Sequence, residues 1–160
     1  MIKNFKLFES SLTRISQHIQ NNQCAIISGE RDILSKNQNS LRNKSLKKDL
    51  LDLGYSVTPA KGVYLEYYKS PLERPVKEES FFVSNINNAS NFFFNIKKLS
   101  YKYDQESVLL IEPGGMGWLF GTSFDSDFLD FGQKEFIGYF KPGKKGEFMT
   151  MINGRPFIFN

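Results

Sequence analysis

The chain has 160 residues, of which 40% are hydrophobic and 24% are charged, as in soluble globular proteins of one domain. A single cysteine, Cys24, excludes an internal disulfide framework, and no apolar run approaches the roughly 20 residues of a membrane span. The net charge of +4 permits an anionic partner without requiring one. Because the N-terminus also lacks the apolar block of a signal peptide, we expect a cytoplasmic protein with a single domain over residues 1–160.

The first predicted element is an amphipathic helix within residues 1–22. Its apolar residues recur at spacings of three and four, which places them on one stripe of a helix: Phe5, Phe8, Leu12, Ile15 and Ile19. The only histidine, His18, lies beside this stripe. With no second histidine, an imidazole-based metal site is not expected, and the sequence predicts neither a metal nor a cofactor.

Residues 23–111 alternate between strand and helix patterns. A buried strand over 23–28 precedes a helix that starts near Ser35 or Asn37, buries Leu41, Leu46, Leu50 and Leu53, and ends at Gly54. Two strands follow over 55–68, with an interruption near Pro59, and over 76–84; a helix over 88–103 and an apolar strand over 107–111 complete the set. This order predicts an α+β, ferredoxin-like (split βαβ) core, with two helices on one face of a four-stranded sheet.

Residues 112–160 are predicted to be a C-terminal β extension of this core. The glycine-rich stretch EPGGMGW lacks the Gly-Lys-Ser/Thr ending of a phosphate loop and reads as a turn. Asn153-Gly154 between two short apolar runs predicts a β-hairpin. We expect this part to extend the sheet or to cap one of its ends.

Polar side chains cluster where the central strands are predicted to end and where the second helix begins. Neutral hydrogen-bonding groups, two arginines and a carboxylate together suit a polar anionic ligand, because arginine forks fit phosphate oxygens. The alternative is that they only tie the helix starts to the sheet edge. If there is catalysis, Glu79 is the predicted general base; no other catalytic residue stands out. The candidate ligand-binding residues are Ser28, Arg31, Asn39, Arg42, Glu79, Ser80, Gln105 and Ser107.

Five stretches of the sequence form a pattern: ISGERDILSKNQNSLRN, LLDLGY, KGVYLE, VKEESFFV and YDQESVLL. The first, fourth and fifth contain the eight candidate residues, which carry the likeness that follows. This pattern over residues 24–111 resembles a widespread family of small proteins in tailed bacteriophages and bacteria. The resemblance implies a phage or mobile-element origin. Small phage proteins of this size often act on host defence, so it also implies a protein that sequesters or cleaves a nucleotide immune signal.

The N-terminus carries a second resemblance. MIKNFKLFESS is similar to the capsid-targeting segment of internal head proteins in large myophages, whose prohead proteases cut after a Leu-x-Glu pattern such as Leu7-Phe8-Glu9. This resemblance implies a structural protein of the phage head that is targeted by residues 1–9. An amphipathic first helix explains the same residues without a packaging role.

The favoured hypothesis is therefore a phage accessory protein that binds a small nucleotide-like ligand, for example a cyclic nucleotide, either as a sponge or as an enzyme. The head protein is the alternative. Nucleic acid is disfavoured as a partner, because the lysines of the second helix do not share a face with aromatic residues. Compact domains of this kind commonly form homo-oligomers, which we also expect here.

Overall fold

The computed structural model describes residues 14–66, 71–72, 74–126, 129–144 and 148–160. Residues 1–9, and with them the predicted head-targeting segment, lie outside this part of the chain. Within it, three helices and eight strands follow in the order α1 (14–21), β1 (Cys24–Ile27), α2 (Lys36–Asp52), β2 (Ser56–Glu66), β3 (Arg74–Ser84), α3 (Phe92–Lys102), β4 (Ser107–Ile111), β5 (Met116–Gly121), β6 (Lys134–Pro142), β7 (Phe148–Ile152) and β8 (Arg155–Phe159).

The eight strands form one closed antiparallel barrel in the order β1-β3-β2-β7-β8-β6-β5-β4. The predicted order of strands and helices over 23–111 is confirmed, but the predicted ferredoxin-like fold is wrong. Strands β5 to β8 connect β2 back to β4, through pairs such as Gly62 with Thr150 and Leu109 with Leu119, so no open four-stranded sheet remains. Residues 112–160 are thus half of the barrel wall and not an extension of a finished core.

Local turn and capping signals are confirmed where the structure describes them. Ser35 caps α2 in a capping box with Gln38, and Gly54 has the positive φ of +85° that ends this helix. Strands β7 and β8 pair across Asn153-Gly154 as the predicted hairpin. The predicted interruption of β2 is wrong, since Pro59 pairs in register with Phe81 inside a continuous strand.

Helices α2 and α3 pack against the outer side of the barrel over β1, β3 and β4. Leu46 and Leu50 of α2 are fully buried there, whereas Leu41 is 67% exposed, so its predicted burial is wrong. Leu53 is also exposed. Five residues correspond to about 140° around a helix, so Leu41 cannot share the narrow stripe that the barrel covers. None of the described helices is long and apolar enough to cross a membrane.

The barrel interior is apolar at one end and polar at the other. Residues from α1 close the apolar end, where Ile15 and Ile19 pack with inward-facing side chains that include Phe82, Phe140 and Phe157. Cys24 is buried at this end, and its burial raises the pKa of the thiol to about 12. The other end is not filled in this way, and it holds the cavity described next.

Candidate functional site

A cavity of about 140 Å³ lies inside the barrel at its polar end. Strands β1 to β5 and β7 all contribute to its wall. The lining residues are Ile26, Ile27, Ser28, Gly62, Glu78, Ser80, Gln105, Ser107, Val108, Leu109, Leu119, Met149 and Thr150.

The alternation of side chains along two strands makes this end of the interior polar. Along β3 the inward-facing residues run from Phe82, which is buried in the core, to Ser80 and then Glu78 at the mouth. Along β4 the same alternation places Ser107 at the mouth, below the inward-facing Leu109. Apolar packing therefore gives way to hydroxyl and carboxyl groups.

The hydroxyl of Ser80 is buried without a hydrogen-bond partner among the residues that the structure describes. Its side chain faces β2, where the missing side chain of Gly62 leaves space: a Cβ atom at Gly62 would lie 4.0 Å from Ser80 Oγ. Native proteins satisfy most buried polar groups, so this hydroxyl in the cavity is available to bind water or a ligand.

The carboxyl group of Glu78 has an unusual protonation equilibrium. Burial raises its pKa from the ordinary 4.5 to about 7, and the nearby carboxylates of Glu30 and Asp32 add to the rise. A hydrogen bond from Ser28 works in the opposite direction. Because the Ser28 hydroxyl has one proton and donates it to the Glu79 carbonyl over 2.6 Å, it cannot fully stabilise the Glu78 carboxylate.

Four of the eight predicted ligand-binding residues line the cavity. Ser80 and Ser107 do so from β3 and β4, and Ser28 follows β1. Gln105 lies at the rim, where its Nε2 donates to the carbonyls of Glu30 and Tyr103 over 3.0 and 3.1 Å.

The other four lie outside the cavity. The Asn39 side chain binds the Arg31 backbone twice, with Oδ1 accepting from Arg31 N over 2.8 Å and Nδ2 donating to the Arg31 carbonyl over 2.9 Å. The Arg31 guanidinium donates to the Asp104 carbonyl. Arg42 donates to the carbonyls of Gly29 and Tyr103. These residues join the loop after β1 to α2 and to the end of α3, as in the structural alternative of the sequence analysis.

Glu79 faces outward, because neighbouring residues of a strand point to opposite sides. Its carboxylate is exposed and lies 3.4 Å from the Lys61 ammonium on β2. Ser80 and Glu79 therefore do not contribute side chains to the same side of the barrel wall.

A model of the S-Adenosylmethionine lyase family matches residues 25–159, from the second residue of β1 to the end of β8. The chain belongs to this family. A search of the curated proteins finds no match. The range matched to the S-adenosylmethionine lyases contains every residue that lines the cavity and all of the barrel strands except Cys24, but not α1.

In this S-adenosylmethionine lyase family member, sequence reasoning overlooked Glu78 and Gly62 as candidates for the site. A period of two along Ser80, Phe82 and Ser84 would have placed Glu78 with Ser80 on one face, but the consecutive apolar residues of β3 hide that period. No signal in the sequence indicated that Gly62 and Thr150, which are paired across β2 and β7, would reach the same cavity. Within the described ranges, no group of three acidic, histidine or cysteine residues could hold a metal ion.

We expect Glu78→Gln to stabilise the protein at pH 8 and to leave its stability almost unchanged at pH 4, which lies below both pKa values. The folded-state pKa of Glu78 is raised to about 7 from an ordinary value of 4.5, so the folded protein loses stability as the pH rises between these values. Allowing for partial exposure, the neutral amide should add about 2 kcal/mol to the free energy of unfolding at pH 8. Urea unfolding at both pH values measures this, and equal effects at both would contradict it.

Proposed function

We propose that the chain cleaves S-adenosylmethionine, with the substrate bound at the polar mouth of the barrel. The observation that carries this proposal is the buried Ser80 hydroxyl, which lacks a partner within the described part of the chain and faces a cavity beside a carboxyl group. Such a hydroxyl costs free energy in the empty site, and a ligand that hydrogen-bonds to it removes that cost. The family to which the chain belongs supplies the substrate and the class of reaction.

The charges at the mouth support a cationic ligand. S-adenosylmethionine contains a positively charged sulfonium, and the carboxyl groups of Glu78, Glu30 and Asp32 lie near one another. The guanidinium groups of Arg31 and Arg42 donate to backbone carbonyls. A sulfonium compound therefore suits this site better than the phosphate-bearing ligand predicted from the sequence.

The size and walls of the cavity support a reaction without water. A volume of about 140 Å³ is below the roughly 300 Å³ of sites that enclose a whole ligand, so we infer that part of the substrate enters and the rest lies at the rim. Leu109 and Leu119 add apolar surface to the inner wall, so the entering part of the substrate displaces water from it. A lyase breaks the carbon–sulfur bond without adding water. When the bond on the amino-acid side breaks, its electron pair stays on sulfur and methylthioadenosine leaves as a neutral thioether, while the substrate's own carboxylate oxygen bonds to the vacated carbon and closes a lactone.

We further propose that this activity serves a phage against its host. S-adenosylmethionine contains adenosine, so it belongs to the nucleotide-like molecules that the sequence analysis expected as ligand. Its removal would deprive host methyl-transfer reactions of their donor. The head-protein alternative depends on residues 1–9, which lie outside the described part of the chain, so it stays a prediction. Homo-oligomerisation also stays a prediction.

The test is to incubate the purified protein with S-adenosylmethionine and to identify the products by mass spectrometry. We expect methylthioadenosine and a second product whose masses sum to that of the substrate. Masses that exceed the substrate by one water would indicate a hydrolase. Unchanged substrate that still protects the protein against thermal unfolding would indicate a sponge. The absence of both cleavage and thermal protection would overturn the proposal.

Ser80→Ala should weaken S-adenosylmethionine binding about 10-fold without lowering the stability of the protein, because no hydrogen bond within the protein is lost. Ser84→Ala is the matched control, since Ser84 lies on the same inward face of β3 but is hydrogen-bonded to His18 over 3.1 Å. This control should lower the melting temperature and leave the affinity unchanged. Calorimetric titration and thermal unfolding of both variants separate the two effects.

A further inference from the structure

A row of three aromatic side chains lies on the outer face of β5 and β6, away from the cavity. Trp118 contacts Phe136 edge-on with ring centres 5.5 Å apart, and Phe136 contacts Tyr139 in the same way at 5.8 Å. Phe136 and Tyr139 are each 47% exposed. We call these three residues and the lysines around them the aromatic face.

A β-bulge creates this row. Residues 136 and 139 would point to opposite sides of a regular strand, but the register shifts at Gly117/Trp118, so that Trp118 pairs with Phe136 while Gly117 pairs with Gly138. Ile137 is the extra residue, and Gly138 has a positive φ of +106°. Bulges re-aim side chains in this way and are frequent near functional sites.

Lysine side chains surround the row. The Lys134 ammonium lies 4.5 Å from the centre of the Trp118 ring, and the Lys97 ammonium lies 4.0 Å from that of Phe120. Burial and the proximity of Lys134 lower the pKa of Lys97. Neither ammonium forms an ion pair with a carboxylate of the described residues. The Glu112 carboxylate accepts the indole N–H of Trp118 over 3.0 Å.

Lys141 extends the positive charge along the same strand. It is exposed, and alternation from Tyr139 places it on the outer face of β6. Exposed aromatic rings flanked by lysines are the combination with which proteins bind single strands, since every base has a face that stacks and every nucleotide has a phosphate.

We propose that the aromatic face binds single-stranded nucleic acid, with bases stacked on Phe136 and Tyr139 and phosphates held by Lys97, Lys134 and Lys141. This surface is separate from the lysines of α2, which the sequence analysis considered and set aside. It is also independent of the cavity, so its test does not depend on S-adenosylmethionine cleavage.

Trp118 is the only tryptophan of the chain and therefore reports on this face. We expect its fluorescence to be quenched saturably by an oligothymidylate of about 12 nucleotides, within the span that such surfaces cover. With three phosphate contacts, the logarithm of the binding constant should fall against the logarithm of salt concentration with a slope of about −2, and Lys134→Ala should reduce this slope by about 0.7.

Phe136→Ala and Tyr139→Ala should each weaken binding about 5- to 150-fold, the effect of losing one stacked base. The controls are Phe124→Ala, which removes a more exposed aromatic ring elsewhere, and Lys47→Ala, which removes the same charge from α2. Both should bind as the parent protein does. If an aromatic variant does not fold, Lys134→Gln still tests the proposal, because it changes only an exposed side chain of the aromatic face.

Absence of quenching, or quenching that persists in both aromatic variants, would overturn the proposal. So would a homo-oligomer in which Trp118 is shielded from a small soluble quencher, because the aromatic face would then be an interface between copies. Cleavage of S-adenosylmethionine by Phe136→Ala should equal that of the parent protein whichever result is obtained.

Discussion

Replacing Glu78 by glutamine is expected to slow the cleavage of S-adenosylmethionine about 100-fold, the usual effect of removing a charged or proton-accepting group from a site. The amide has the same shape but cannot bear the negative charge that attracts the sulfonium. Because the pKa of Glu78 is raised to about 7, the parent rate should rise as the pH increases through 7 and level above it. The variant should lack this rise. Initial rates of substrate loss between about pH 5.5 and 9, with a protein-free control, measure both effects.

Glu79→Gln is the matched control for this experiment. It removes the same charge from the neighbouring residue, whose exposed side chain points away from the cavity and pairs with Lys61. We expect its rate and pH profile to match those of the parent protein. The reverse result, with Glu79→Gln inactive and Glu78→Gln active, would restore the general base predicted from the sequence and refute the site described here.

Arg42→Ala should lower the free energy of unfolding by about 3 kcal/mol, because two charge-assisted hydrogen bonds are lost. The Tyr103 carbonyl keeps the Gln105 amide as a donor, whereas the Gly29 carbonyl loses its Arg42 donor. The guanidinium also lies 5.6 Å from the centre of the Tyr103 ring, a contact that is lost with it. Arg42→Lys should recover little of this, since one ammonium cannot match the fork that reaches Gly29 and Tyr103 together. Urea unfolding of both variants gives the values.

Lys48→Ala is the control for Arg42, because its ion pair with Asp52 is exposed on the same helix and should not measurably affect stability. If Arg42→Ala were as stable as the parent protein but lost affinity for the ligand, the arginine would be a ligand contact, as the sequence analysis proposed. If it lost stability and kept the affinity of its folded fraction, the structural role assigned here would hold.

The parts of the fold that could be predicted are those that depend on short stretches of neighbouring residues. Ser35 and Gly54 mark the ends of α2, and Asn153-Gly154 marks the last hairpin, because caps and turns depend on neighbouring residues alone. The closure of the barrel was not predictable in this way. It depends on pairing between residues far apart in the chain, such as Gly62 with Thr150, and nothing local to either strand encodes its partner.

The candidate site was predictable to a similar extent. Polar residues at strand ends directed attention to Ser28, Ser80 and Ser107, which the barrel brings together around one cavity. The same polar pattern also included Arg31 and Arg42, whose donors are engaged by carbonyl groups that a sequence does not reveal. Choosing between Glu78 and Glu79 required knowing which side chains of β3 point into the barrel. That orientation is fixed by how the whole sheet curves.

The closed barrel has a consequence for how the chain folds as it is synthesised. Strand β2 cannot complete its pairing until β7 has been synthesised. The edge around residues 60–64 therefore stays unpaired until the ribosome has added nearly ninety more residues, which takes on the order of ten seconds at common elongation rates. Such late, non-local pairing slows folding and leaves the nascent chain open to aggregation. High expression temperatures should therefore drive newly made protein into inclusion bodies more readily than they unfold the finished molecule.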